Sequence, residues 1–263
     1  MNLRKRINLR ILSVVFSICC VGAQAVSLST YRVYLDSENS SASFLMFNKT
    51  ALSESCDLSL VHNNFTPSGK MLVHTGNELP DNSAEPWMRY SPRSFIVAPQ
   101  NPQTVRFTLR RKSGSKPAEY RSYMRISCDP IDRPDVSSKS NGSDNIAKLS
   151  IKPKIVQNVP IIVRTGKLQA SLLFSDFSIT DKRLKFNITR QGNRSVYGTL
   201  ELVNKRNNDV LVFRKNVSIY AEVDTVEYVL GTSGISPEQL AVRFKEDNSY
   251  GGDMVHQQDV ITR

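Results

Sequence analysis

From residue 149 to residue 163 the odd positions read Leu149, Ile151, Pro153, Ile155, Gln157, Val159, Ile161 and Val163. That alternation is long, and the even positions beside it include Lys148, Lys152 and Lys154. Apolar residues at every second position fit the two faces of a β-strand and fit no helix, where one face returns every three to four residues. The same rule recurs along the chain. Val105, Phe107 and Leu109 alternate with Arg106, Thr108 and Arg110; Ala42, Phe44 and Met46 share one parity; Met124 and Ile126 oppose Arg121, Tyr123 and Arg125. Turn chemistry separates the runs at Thr66 to Gly69, Glu78 to Asn82 and Ser113 to Ser115. There is no long helical periodicity. Short, evenly spaced antiparallel strands predict β-sandwiches.

Asp129 to Asn145 interrupts this order with Pro130, Pro134, Gly142 and a surplus of Ser and Asp, which reads as a polar loop. A second set of strands follows Thr165-Gly166-Lys167: Leu168 to Phe174, Lys185 to Thr189, Tyr197 to Val203, Val210 to Lys215, Val217 to Tyr220 and Leu240 to Phe244. The chain is therefore divided into 1–25, 26–163 and 164–263, the last two each an all-β domain.

The first of these segments is a leader. Arg4, Lys5, Arg6 and Arg10 precede an apolar stretch from Ile11 to Val21, which ends in Ala23-Gln24-Ala25. That is the make-up of a cleaved secretory signal peptide, and the stretch is short for a bilayer span. No other segment is apolar enough for membrane insertion. Removing four basic and no acidic residues takes the net charge from +11 to +7, a moderate excess that does not indicate nucleic-acid binding. Cys19 and Cys20 leave with the leader. Cys56 and Cys128 remain, on apolar-facing parities of two strands, in an oxidising compartment. They form either a disulfide or two buried thiols.

Sites for chemistry are missing. His62, His74 and His256 stand apart, there is no Cys-x-x-Cys, no Gly-x-Ser-x-Gly, no phosphate loop and no dinucleotide fingerprint. The expectation is a protein without catalysis, metal or cofactor.

The segment from Tyr90 to Phe107 resembles the first-domain signature of periplasmic pilus-assembly chaperones, the PapD-like partners of outer-membrane ushers. Pro92, Pro99, Gln103, Val105 and Arg106 match in spacing. Val26-Ser27-Leu28 with Arg32-Val33 resembles that family's first strand, and Glu119 to Ile126 and Val159 to Arg164 its later ones. Three positions depart: Arg93 and Gln100 replace a Pro and a Gly, and Pro160 falls where the family has a Lys. The resemblance implies two immunoglobulin-like β-sandwich domains set at an angle around a cleft. It implies a periplasmic chaperone for fimbrium biogenesis that binds pilin subunits by donor-strand complementation, a recognised form of β-strand addition, and delivers them to an usher.

In that role Leu149, Ile151 and Ile155 are the donor-strand residues. Arg32 is the anchor for a subunit's terminal carboxylate, and Arg121, Arg125 and Arg164 are further basic contacts. The alternative use of the same run is as the last strand of its own sandwich. Self-association of the free protein through the same edge stays open. A structural pilus subunit or surface adhesin built from such domains is the alternative function.

Overall fold

The structure is a computed structural model that describes residues 26–110, 114–131, 155–232 and 234–262. The leader, Leu149 and Ile151 lie outside the described residues. Regular structure is strand throughout, apart from three short 3-10 turns among the described residues.

Eleven strands precede Gly166: β1 (Ser27–Leu28), β2 (Val33–Leu35), β3 (Ser41–Phe47), β4 (Glu54–Val61), β5 (Asn63–Phe65), β6 (Met71–Val73), β7 (Met88–Ser91), β8 (Ser94–Val97), β9 (Pro102–Leu109), β10 (Ala118–Pro130) and β11 (Val156–Thr165). Seven follow it: β12 (Ala170–Thr180), β13 (Arg183–Gly192), β14 (Val196–Asn204), β15 (Val210–Ile219), β16 (Thr225–Gly231), β17 (Leu240–Glu246) and β18 (Val255–Asp259).

Sheets of order β1-β3-β9-β7 and β2-β11-β10-β4-β8 face each other in the first set. Between them lie Phe44, Met46, Val105 and Phe107 from one side and Leu58, Met124, Ile126, Val159, Ile161 and Val163 from the other. Sheets of order β12-β13-β16 and β15-β14-β17-β18 enclose a second core around Phe174, Phe186, Leu200, Leu202 and Phe244. These are the apolar positions of the period-2 runs, and burying each large side chain contributes about 1.5–3 kcal/mol. The two cores touch, because Tyr34 and Ile162 pack into the second one.

Two local differences from the sequence reading have clear causes. The runs Val210–Lys215 and Val217–Tyr220 are one strand, β15, with a bulge at Lys215 and Asn216 where the register against β14 shifts. Asn216 takes φ +60° there, a left-handed conformation that Asn tolerates better than most residues. In β10, Arg121 to Met124 are all buried, so the strand has no polar outer face at this level. Its second face is covered by the second set of strands.

At the turn between β8 and β9 Gln100 takes φ +57°, a left-handed conformation that usually favours glycine. The amide of that residue donates to the Asn48 carbonyl at 2.9 Å and its side chain donates to the Lys49 carbonyl at 3.0 Å. These bonds offset the steric cost a side chain meets in the left-handed region.

Cys56 and Cys128 face each other across β4 and β10 and are joined as a disulfide. The loop closed is 71 residues long, for which chain entropy gives about 4 kcal/mol of stabilisation. Cys56→Ala with Cys128→Ala is expected to lower the unfolding free energy by that amount, read from the shift of the urea midpoint, and adding reductant to the double variant should change nothing further. An unchanged midpoint would refute the estimate.

Candidate functional site

The candidate site is the free margin of β11 and the floor it leads to. β11 pairs with β10 over its whole length, from Val156 opposite Ser127 to Thr165 opposite Ala118. On its other side β2 runs parallel to it, but only from Ile161 to Val163. Between Val156 and Pro160 no strand covers that side among the described residues. Gln157 reaches the Val26 carbonyl through its side-chain amide, at 2.8 Å. Unpaired backbone groups along such an edge are a template for another strand. The alternating row changes environment along it. Val159, Ile161 and Val163 are sealed in the first core, whereas Ile155 is 44% and Val156 36% exposed. The strand therefore serves its own sandwich at one end and presents apolar surface at the other.

Arg32 stands one residue before β2, at the place where the open margin of β11 stops. Its side chain is buried, at 3% exposure. The Tyr197 ring covers its guanidinium face at 4.3 Å, and the Tyr220 centroid is 5.8 Å away. One terminal nitrogen donates a long bond, 3.4 Å, to Ser218 Oγ, while Nε–H has no hydrogen-bond partner. No described carboxylate forms an ion pair with it. A buried arginine without an acid partner is costly.

Tyr123 shares this floor. It lies opposite Pro160 in the β10–β11 register and is 7% exposed, and its hydroxyl faces Tyr220 without a hydrogen bond of normal length. Burial, and then the neighbouring Tyr220, push its phenol well above the usual range, so it is a neutral donor.

The other basic residues predicted for the site are placed differently. Arg121 is clamped by Glu222, Nη1 to Oε2 at 2.9 Å and Nη2 to Oε1 at 2.7 Å, and also donates to the Asn63 carbonyl at 3.0 Å. Burial alone would raise the Glu222 carboxyl, but the hydrogen bonds and charge of Arg121 outweigh it and hold Glu222 below its ordinary 4.5. Arg164 donates from Nε to Glu119 Oε2 at 2.8 Å and to the carbonyls of Gly251 and Ser195 at 2.7 and 2.9 Å. Glu119 in turn accepts from the Ser195 amide at 3.0 Å. Both arginines thus fasten the two sets of strands together. Arg125 is exposed, paired in register with Asn158 and Ser59.

The β5–β6 hairpin adds to the junction. Phe65 stacks on Tyr220 at 4.6 Å, and the Pro67 carbonyl accepts from the Asp224 amide at 2.9 Å. His62 and His74, distant from any ligand in sequence, meet edge to face at 6.4 Å, and His62 also contacts Ser122 Oγ and Glu85. No group of three His, Cys, Asp or Glu among the described residues is arranged to hold a metal ion, and no described helix is long and apolar enough to cross a membrane.

No family model and no curated protein matches the sequence. Among solved structures, many neighbours are fimbrial chaperones of the chaperone-usher class. The chain is similar to the YadV chaperone, at 14% identity and TM-score 0.46 over 89% of this chain and 98% of that one. It is similar to the class 5 fimbriae chaperone CfaA, at 14% identity and TM-score 0.46 over 91% and 100%. It is also similar to a chain of the Salmonella enterica SafA pilin–SafB chaperone complex, at 12% identity and TM-score 0.46 over 90% and 97%. At this distance the likeness decides nothing about what the chain binds.

Proposed function

We propose that this chain is a periplasmic chaperone that captures pilin-like subunits by lending them a strand, and that it then passes them to an outer-membrane usher. The observation that carries the reading is the half-open strand β11 ending at a buried arginine that has no acid partner. A guest strand pairing with Ile155 to Pro160 runs into Arg32 where β2 begins. The end that a guanidinium accepts is a carboxylate, held by charge-assisted bonds. The guest therefore runs toward Arg32 and parallel to β11. Its missing-strand groove is filled by Ile155, which is exposed, and by Ile151 and Leu149, to which the same alternating row of the sequence extends. Pro153 costs one backbone donor, which an edge strand tolerates.

Co-expression with a secreted β-rich subunit that is insoluble alone tests this. Wild-type chain is expected to recover a soluble one-to-one complex. Ile155→Asp places a charge in an apolar groove and removes the buried side chain, a combined loss of about 3 kcal/mol or roughly a hundredfold in affinity. Because Ile155 is 44% exposed in the free protein, its unfolding midpoint should not move. Capture that survives the substitution refutes the donor role of β11.

A further inference from the structure

The floor beside Arg32 lacks the second cation that a two-point anchor would use, since Pro160 occupies that position and Arg121 and Arg164 are committed to Glu222 and Glu119. We infer that the Tyr123 hydroxyl is the second ligand of the bound carboxylate, acting with the Nε–H edge of Arg32. This rests on the reading of β11 as a donor strand. Four observations carry it.

First, Tyr123 is the cross-strand neighbour of Pro160, so its side chain springs from the level at which the open margin ends. Second, the Arg32 Nε–H and the Tyr123 hydroxyl are two buried donors without a hydrogen bond of normal length, the hydroxyl facing only Tyr220. Buried polar groups nearly always find partners, so two unmet donors in one floor mark a place for an acceptor. Third, the two belong to one cluster, connected through the Tyr220 ring and the Arg121 guanidinium. Tyr220 lies 5.8 Å from the Arg32 guanidinium and 4.2 Å from that of Arg121, which is 5.9 Å from the Tyr123 ring. The Arg32 charge acts on the Tyr123 phenol. Fourth, the Tyr197 ring covers the face of Arg32, while the N–H donors lie in the guanidinium plane and stay available at its edge.

The chemistry explains why a neutral donor stands here. The floor already holds the guanidiniums of Arg32 and Arg121. A third cation would add like-charge repulsion in a site with little water. A phenol supplies one strong O–H donor without it. One carboxylate oxygen accepts from Arg32 Nε–H and the other from Tyr123 O–H, and no proton is transferred.

The test uses two eight-residue peptides of alternating valine and threonine, one ending in a free carboxylate and the other amidated, with binding followed on the 15Nε signal of Arg32. Wild type is expected to bind the acid at least tenfold more tightly than the amide. Tyr123→Phe should lower that ratio about fivefold by weakening only the acid form, with the unfolding midpoint unchanged. Two results overturn the role of Tyr123 while leaving Arg32 as a lone anchor: an unaltered ratio in Tyr123→Phe, or equal weakening of acid and amide. A wild type that does not distinguish the peptides, or binds neither, overturns the anchor itself. Ile155→Asp, which should weaken both peptides alike, reports separately on the donor strand.

Discussion

Glu222→Ala is expected to cost about 3 kcal/mol of stability and to loosen the junction between the two sandwiches. Glu222 is the only described carboxylate that forms an ion pair with Arg121, whose side chain is 3% exposed. Breaking a buried pair from one side strands the other charge, which typically costs 3–5 kcal/mol. The Glu222 side chain is 25% exposed, so water reaches part of the gap and the lower end applies. Asn82, which donates to Glu222 at 2.7 Å, would lose its partner too. The pH dependence has a definite sign. The folded carboxyl titrates below its ordinary 4.5, so its contribution is complete above that value and disappears as pH falls through the folded pKa. Urea midpoints measured from pH 7 down to pH 3 should therefore fall less steeply below 4.5 in Glu222→Gln than in wild type. Parallel curves would mean that the pair does not hold the junction.

Why the junction was hidden in the sequence while the strands were not follows from range. Alternation is local: Val105, Phe107 and Leu109 announce β9 within a few residues, and Phe44 and Met46 announce β3. Arg32 was marked only by the resemblance, as the residue at that family's arginine position counted from Val26. The partners of Arg121 and Arg164 could not. Glu222 lies 101 residues beyond Arg121, and Glu119 45 residues before Arg164, and strands carrying many exposed charges offer no local reason to choose those two. Tyr123 shares its parity with Arg121 and Arg125 and so reads as outward-facing. It is buried because the second sandwich lies against that face, a contact no local pattern records. β18 was invisible for a simpler reason. Its sequence, Val255 to Asp259, contains two glutamines and a histidine, and its edge position beside β17 demands no apolar alternation.

The free margin of β11 and the burial of Arg32 together predict effects of opposite sign for Arg32→Met. In the unliganded protein the substitution removes a buried charge with no acid partner and replaces it with a flexible apolar side chain of similar reach. The lost contact with the Tyr197 ring is worth about 0.5–2 kcal/mol. The desolvation cost that disappears is several kcal/mol for an unpaired ion. The balance favours the variant, by about 1 kcal/mol of unfolding free energy, seen as a higher urea midpoint. Binding goes the other way. Removing one partner of a desolvated charge pair costs about 2–5 kcal/mol, at least roughly thirtyfold in affinity for a peptide with a free carboxylate and little for its amide. An arginine that merely propped the two sandwiches apart would behave in reverse, with Arg32→Met destabilising the free protein and leaving the acid-to-amide preference intact. Measuring both quantities on one preparation separates the two roles. A gain in stability with a loss of carboxylate recognition is what an arginine that serves binding rather than the fold should give.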